Sequence, residues 1–193
     1  MIYNFNGNLK FESSNMGNTI TSNGVQTNSV IYFTGVNGGW STTDVFSNSR
    51  QVYFEAINGN LDLNDSLRIT IFYLNQGSIY SNGHNWNVCK FSSDGALTRF
   101  LDLSNSTIYF AGSCMPGGGS TWSVSNSINI DADSADFIEK DGGLSFSSGG
   151  KSYHNLTSCV STSLYYGGSF NKLDLSGIQS YISANSDTLY LYS

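Results

Sequence analysis

Residues 28–35 read NSVIYFTG, and residues 105–112 read NSTIYFAG, six of eight positions identical at an offset of 77 (105 − 28). In both, Ile and Phe alternate with Tyr, the period-two pattern of a strand with one buried face. Similar short runs recur in QVYFEA, LRITIFY, SINID, GLSFS and TLYLY. Between them lie Gly- and Asn-rich clusters such as GVNGG, INGN, NQGSIYSNGHN and SSGGKS. Gly and Asn tolerate positive φ, so these clusters read as sharp corners. Helical periodicity is almost absent. The one weak helical candidate is DADSADFIEKDGG (131–143), where Ala132, Ala135, Phe137 and Ile138 fit neither period well.

The apolar anchors Ile31, Val52, Ile71, Val88, Ile108, Ile128, Leu144 and Leu164 recur at a soft spacing of about 20 residues, in the range of solenoid coils. The 77-residue offset is close to four such coils. LDL recurs at 61–63, 101–103 and 173–175, with Leu expected inward and Asp outward. These features predict an all-β chain: a right-handed parallel β-helix of about 8–9 coils, a single solenoid domain over residues 1–193. At about 4.8 Å per coil the rod would be roughly 40 Å long. The alternative is a β-sandwich or jelly roll, which strands every 8–12 residues would favour. The ending SDTLYLYS reads as one more coil strand, so the rod is expected to continue in a longer parent chain or against a neighbouring subunit.

Charged residues make up 11% of the chain, against roughly 25% in ordinary soluble domains. A formal charge of −6 and eight scattered Lys and Arg leave no basic patch for a nucleic-acid backbone. No apolar run is long enough for a membrane helix, so membrane insertion is not expected. The start, MIYNFNGNLKFESS, lacks the basic head and apolar stretch of a secretory signal, which implies removal of a signal or a piece of a longer chain. Cys89, Cys114 and Cys159 cannot all pair within one molecule. They read as buried reduced thiols, with one disulfide plus a spare thiol as the alternative.

GGKSYHNLT (149–157), together with NSTIYFAG and TWSVSNSI, resembles the Asn-, Gly-, Ser- and Thr-rich repeats of large secreted surface proteins of Bacteroidetes bacteria. Their repeats take the form STI.FTG…GGG.TYNN(V/L)TF. The resemblance spans residues 28–175, departs at His154 where those repeats carry Asn, and lacks a carboxy-terminal sorting domain. It implies a β-helical, adhesin-like stalk on a cell surface.

Catalytic chemistry is sparse. His84 and His154 are too far apart in coil terms to share a site, and no nucleophile elbow occurs. Asp62 and Asp102, about two coils apart, are the nearest thing to an acid pair, but they sit on the outward position of LDL repeats. The acidic segment 131–141 is the candidate calcium site, through Asp131, Asp133 and Asp136; a solvated loop is the alternative. Trp40, Trp86 and Trp122, each just past a glycine turn, form the candidate ligand-binding ladder, against the alternative that each plugs a corner. The expected function is a non-enzymatic, extracellular adhesin-like stalk or recognition module, with surface glycans or a host cell surface as partner. A carbohydrate-binding or carbohydrate-degrading β-helix, or a phage tail-fibre protein, is the alternative.

Overall fold

The computed structural model describes residues 4–5, 7–21, 26–27, 29–43, 47–111, 119–177 and 179–191. Among the described residues there is no helix, and every strand pairing is parallel. A sandwich or jelly roll would need antiparallel pairs, so the parallel β-helix is the fold. The weak helical candidate at 131–143 is two strand segments, Asn129–Asp131 and Asp136–Glu139, joined by a corner. Ala132 and Ala135, both fully buried, pin that corner.

The register defines three faces. On the first, one inward column runs Leu9, Ile31, Val52, Phe72, Phe91, Trp122, Phe146, Leu164, each residue the direct partner of the next. On the second, Trp40, Leu61, Ile79, Leu101 and Ile130 are stacked in the same way. On the third the column is Leu67, Trp86, Ile108, Phe137, Leu156, Leu173. Strands Leu67–Leu74 and Trp86–Ser93 cross from the third face to the first. Two adjacent buried residues mark each crossing, Ile71 and Phe72 in one, Val88 and Cys89 in the other. There the side-chain alternation resets, as a bend in a strand requires.

The two octapeptides occupy different faces: Val30–Thr34 is on the first, Thr107–Phe110 on the third. Their offset is therefore not a whole number of turns. What repeats is the local solution. Ser29 and Ser106 are buried at the corner, Ile31, Phe33, Ile108 and Phe110 point inward, and Tyr32 and Tyr109 point out. The LDL repeats do the same, with Leu61, Leu63, Leu101, Leu103, Leu173 and Leu175 all buried.

Corners are held by side-chain ladders between successive turns. Asn18 Nδ2 donates to Gly39 O (2.8 Å), Gln76 Nε2 to Glu55 O (2.6 Å) and Asn82 Nδ2 to Leu63 O (3.1 Å). Asn37, Asn58, Asn82 and Asn105 adopt positive φ, the αL conformation these residues accept at small cost. Inside, aromatic rings form a continuous spine. Phe91 stacks on Trp122 at 4.4 Å, Trp122 on Phe146 at 6.0 Å, and Tyr153 on Phe170 at 5.4 Å.

Because Trp122 is fully buried and touches rings on several turns, Trp122→Ala leaves a cavity that neighbours tied in a ladder cannot close. A loss of about 3–5 kcal/mol in urea unfolding is expected; a loss below about 1 kcal/mol would mean that the ring is not core.

Candidate recognition surface

The tryptophans are the first site expectation to correct. Trp40, Trp86 and Trp122 are 3%, 0% and 0% exposed, and they stand on three different faces. Each falls on the inward parity of its strand, so the rings fill the core and make no surface ladder. The calcium expectation also fails on geometry. Asp131 points outward on the second face beside Asp102, and Asp133 is exposed in the corner. Asp136 begins a third-face strand, where its Oδ1 accepts from Asn155 Nδ2 (2.7 Å) and lies 3.2 Å from His154 Nδ1. Among the described residues no three His, Cys, Asp or Glu side chains converge as metal ligands.

Asp62 and Asp102 do point outward two turns apart, but Tyr80 stands between them in register. Burial raises the Asp62 carboxyl above its ordinary range, opposed by the hydrogen bond from Asn60. His84 is in a corner, its backbone N–H bonded to Ser81 O (2.9 Å). Cys89 is disulfide-bonded and Cys159 is free and exposed, which replaces the reading of three reduced thiols; Cys114 lies outside the described residues.

The surface feature that sequence reading missed is the outward column of the first face. In register it runs Lys10, Tyr32, Tyr53, Tyr73, Ser92, Ser123, Ser147, Tyr165. The first three tyrosines stack almost parallel: Tyr32 on Tyr53 at 5.0 Å and 9°, Tyr53 on Tyr73 at 4.7 Å and 13°. Lys90 Nζ covers the last ring at 5.6 Å, and Tyr53 Oη donates to Gln51 Oε1 (3.1 Å). Burial in the stack, followed by the neighbouring phenols, raises the Tyr53 pKa, so its hydroxyl stays a donor.

Where the column changes from Tyr to Ser, the surface falls away. A trough of about 720 Å³ opens along the edge between the first and second faces. Ser123, Ser147 and Asn126 line it, with Asp94 towards the tyrosine stack and Tyr166 at the opposite end. Both oxygens of Asp94 are held, Oδ2 by Ser92 Oγ (2.9 Å) and Oδ1 by Ser123 Oγ (2.8 Å). Gly149 passes so close to the previous turn that a Cβ would meet Val124 O and Ser125 O at 2.7 Å, and its φ is +60°. No side chain fits there.

Beneath the trough lies Arg99, only 1% exposed. Its Nε donates to Leu97 O (2.9 Å), Nη1 to Ser93 Oγ (3.2 Å), and Nη2 to Ser125 Oγ (2.8 Å) and Ser127 Oγ. Serine hydroxyls and a carbonyl thus hold a buried guanidinium. Burial pulls its pKa down, and the charge of Asp94 opposes that.

No known protein family, curated protein or solved structure matches the chain.

A second buried ionisable group, Glu139, points into the core at the corner after Asp136–Glu139. Its Oε1 accepts from Asp141 N–H (3.0 Å), while Oε2 and the Ser120 hydroxyl lack partners in hydrogen-bond geometry. Burial raises the carboxyl above its ordinary range; Ser120 and the backbone N–H groups of Asp141 and Lys140 pull it back only in part. A carboxyl raised on folding favours the protonated folded state. Its contribution is therefore complete below the unfolded pKa and is lost as pH rises through the folded value. Glu139→Gln should raise stability at pH 7 by about 1 kcal/mol and flatten the pH profile on the alkaline side of pH 4.5. Denaturation midpoints from pH 4 to 8 check this; a variant less stable than the parent at pH 7 would show that the carboxylate is satisfied.

Proposed function

We propose that the chain is a non-enzymatic, extracellular recognition module, a rigid adhesin-like β-helical rod that holds glycans in the trough overhung by Tyr166. Tyr166 is the observation that carries this reading. Its φ is +65° and the residue is 73% exposed. A bulky aromatic residue in αL costs roughly 1–2 kcal/mol, and so exposed a ring recovers little of that by packing. Such strain is kept where the side chain has work outside the fold. Here Tyr166 lines a cavity of about 720 Å³, a volume that suits a small ligand.

The chemistry around it fits sugars. An aromatic face stacks on the C–H side of a pyranose, while Asp94, Asn126 and the serines address its hydroxyls. Among the described residues one carboxylate, Asp94, lines the trough, whereas glycoside hydrolysis by the usual route needs two, which favours binding over turnover. The bonded Cys89 supports an oxidising, extracellular setting, as does the resemblance to bacterial surface repeats. The formal charge of −6 disfavours nucleic acid.

Tyr166→Gly separates function from folding. It relieves the αL strain, so stability should rise by up to about 1 kcal/mol. Loss of the ring should weaken glycan binding about tenfold. Affinity gels with a polysaccharide panel, run beside thermal denaturation, read both. Unchanged retardation by a glycan that binds the parent chain would remove Tyr166, and this reading, from consideration.

A further inference from the structure

We infer that the ligand is a linear, uncharged polysaccharide that lies along the rod axis, one sugar to about one turn, across both the trough and the tyrosine stack. The inference rests on the glycan reading and adds the ligand's shape, charge and direction.

The trough and the stack are one surface. Ser123 and Ser147, which line the trough, belong to the same register column as Tyr32, Tyr53 and Tyr73. No turn of the chain intervenes between Tyr73 and Ser92, which are direct partners. From Tyr32 to Tyr165 the column makes six steps of about 4.8 Å, an extent of about 29 Å. A ligand confined to the trough would use only about half of it.

The stack also repeats with the turn spacing, 5.0 and 4.7 Å between rings. Any ligand that exploits more than one of its tyrosines must therefore repeat at nearly the same interval. An extended polymer of pyranoses does so; a branched or globular glycan does not. With their planes nearly parallel, the rings offer successive hydroxyls and ring edges along the axis. That suits a chain bonded rung by rung more than one sugar stacked flat.

Charge points to a neutral polymer. Asp94 is the charged side chain in the trough lining, and Ser92 and Ser123 fix it as a carboxylate acceptor with lone pairs left for sugar hydroxyls. A uronate or sulfate there would meet like charge. Arg99 does not reverse this, since its guanidinium is buried and already donates to Leu97, Ser93, Ser125 and Ser127, and Lys90, the cation beside the stack, already lies over the Tyr73 ring at 5.6 Å.

The test is calorimetric titration of the whole chain with uncharged cello-, xylo- and manno-oligosaccharides of two to eight sugars. Polygalacturonate oligomers serve as the charged control. Affinity for the preferred series should climb with length and level off near six sugars, the length of the column. Tyr53→Ser copies the residue that the column itself carries three rungs further on, so it should fold. It should weaken binding of the longest oligomer about three- to tenfold and leave the disaccharide unchanged. Tyr32→Ser should do the same more weakly. Affinity independent of length, an unaffected Tyr53→Ser variant of native circular dichroism, or a preference for polygalacturonate would each overturn the axial, neutral ligand while leaving trough binding intact. Absence of binding by every oligomer would overturn the glycan reading and this inference together.

Discussion

Parallel pairing in register is the constraint on which everything else depends. Each strand must satisfy its backbone against the turn before and the turn after, so each residue has one partner above and one below. A choice made at one position is then felt along a whole column. Inward columns have to be apolar and of matched size, which is why Phe91, Trp122 and Phe146 stand over one another. Outward columns become stripes of one chemistry, which is why Tyr32, Tyr53 and Tyr73 meet ring to ring. The surface is patterned by the same hydrogen bonds that hold the core.

Corners set the limit on that order. A chain turning three times per coil needs αL residues and close backbone passages, and it places them where Asn or Gly occurs. Polar side chains drawn inward at the corners find partners on the next turn, as Ser106 does with Ser81 (2.7 Å) and Ser93 with Leu74 O (2.9 Å). Arg99 extends this logic to a full charge, donating to serine hydroxyls from two turns. Glu139 is the counterexample, with one oxygen unsatisfied, and Trp86 Nε1 is another orphan in the core. The rod tolerates these costs because each is confined to one or two turns, in a molecule whose stability is a sum over turns.

Strand type was legible in the sequence; column membership was not. Alternation alone placed Leu inward and Asp outward in LDL, and Asn and Gly at corners. It could not say which face a strand belongs to, because turn length varies. Phe146 to Leu164 is 18 residues, while Phe91 to Trp122 is 31. A soft period of about 20 therefore drifted between faces: Val52 stands on the first and Val88 on the third. The same drift made the three tryptophans look like a ladder. Their glycine turns are alike, but each turn leads into a different face with its Trp at inward parity. The acidic segment misled for a related reason. Carboxylates close in sequence were split by a corner into the second face, open solvent and the third face.

The trough could not be found without the register, because it is made by an absence within a column. No motif marks Ser92, Ser123 and Ser147, which lie 31 and 24 residues apart in ordinary-looking strands. Only when they stand over one another, continuous with tyrosines below and Tyr165 above, does the loss of three rings become a depression. A solenoid can therefore evolve a binding site by the cheapest kind of change, trimming exposed side chains at consecutive rungs. The backbone ladder and the inward column stay untouched, so the site costs little stability. Tyr166 is the exception, since its backbone is strained as well as its side chain exposed. That combination is hard to account for by folding alone, and it is why the proposed function is assigned to the trough rather than to any other stripe on the rod.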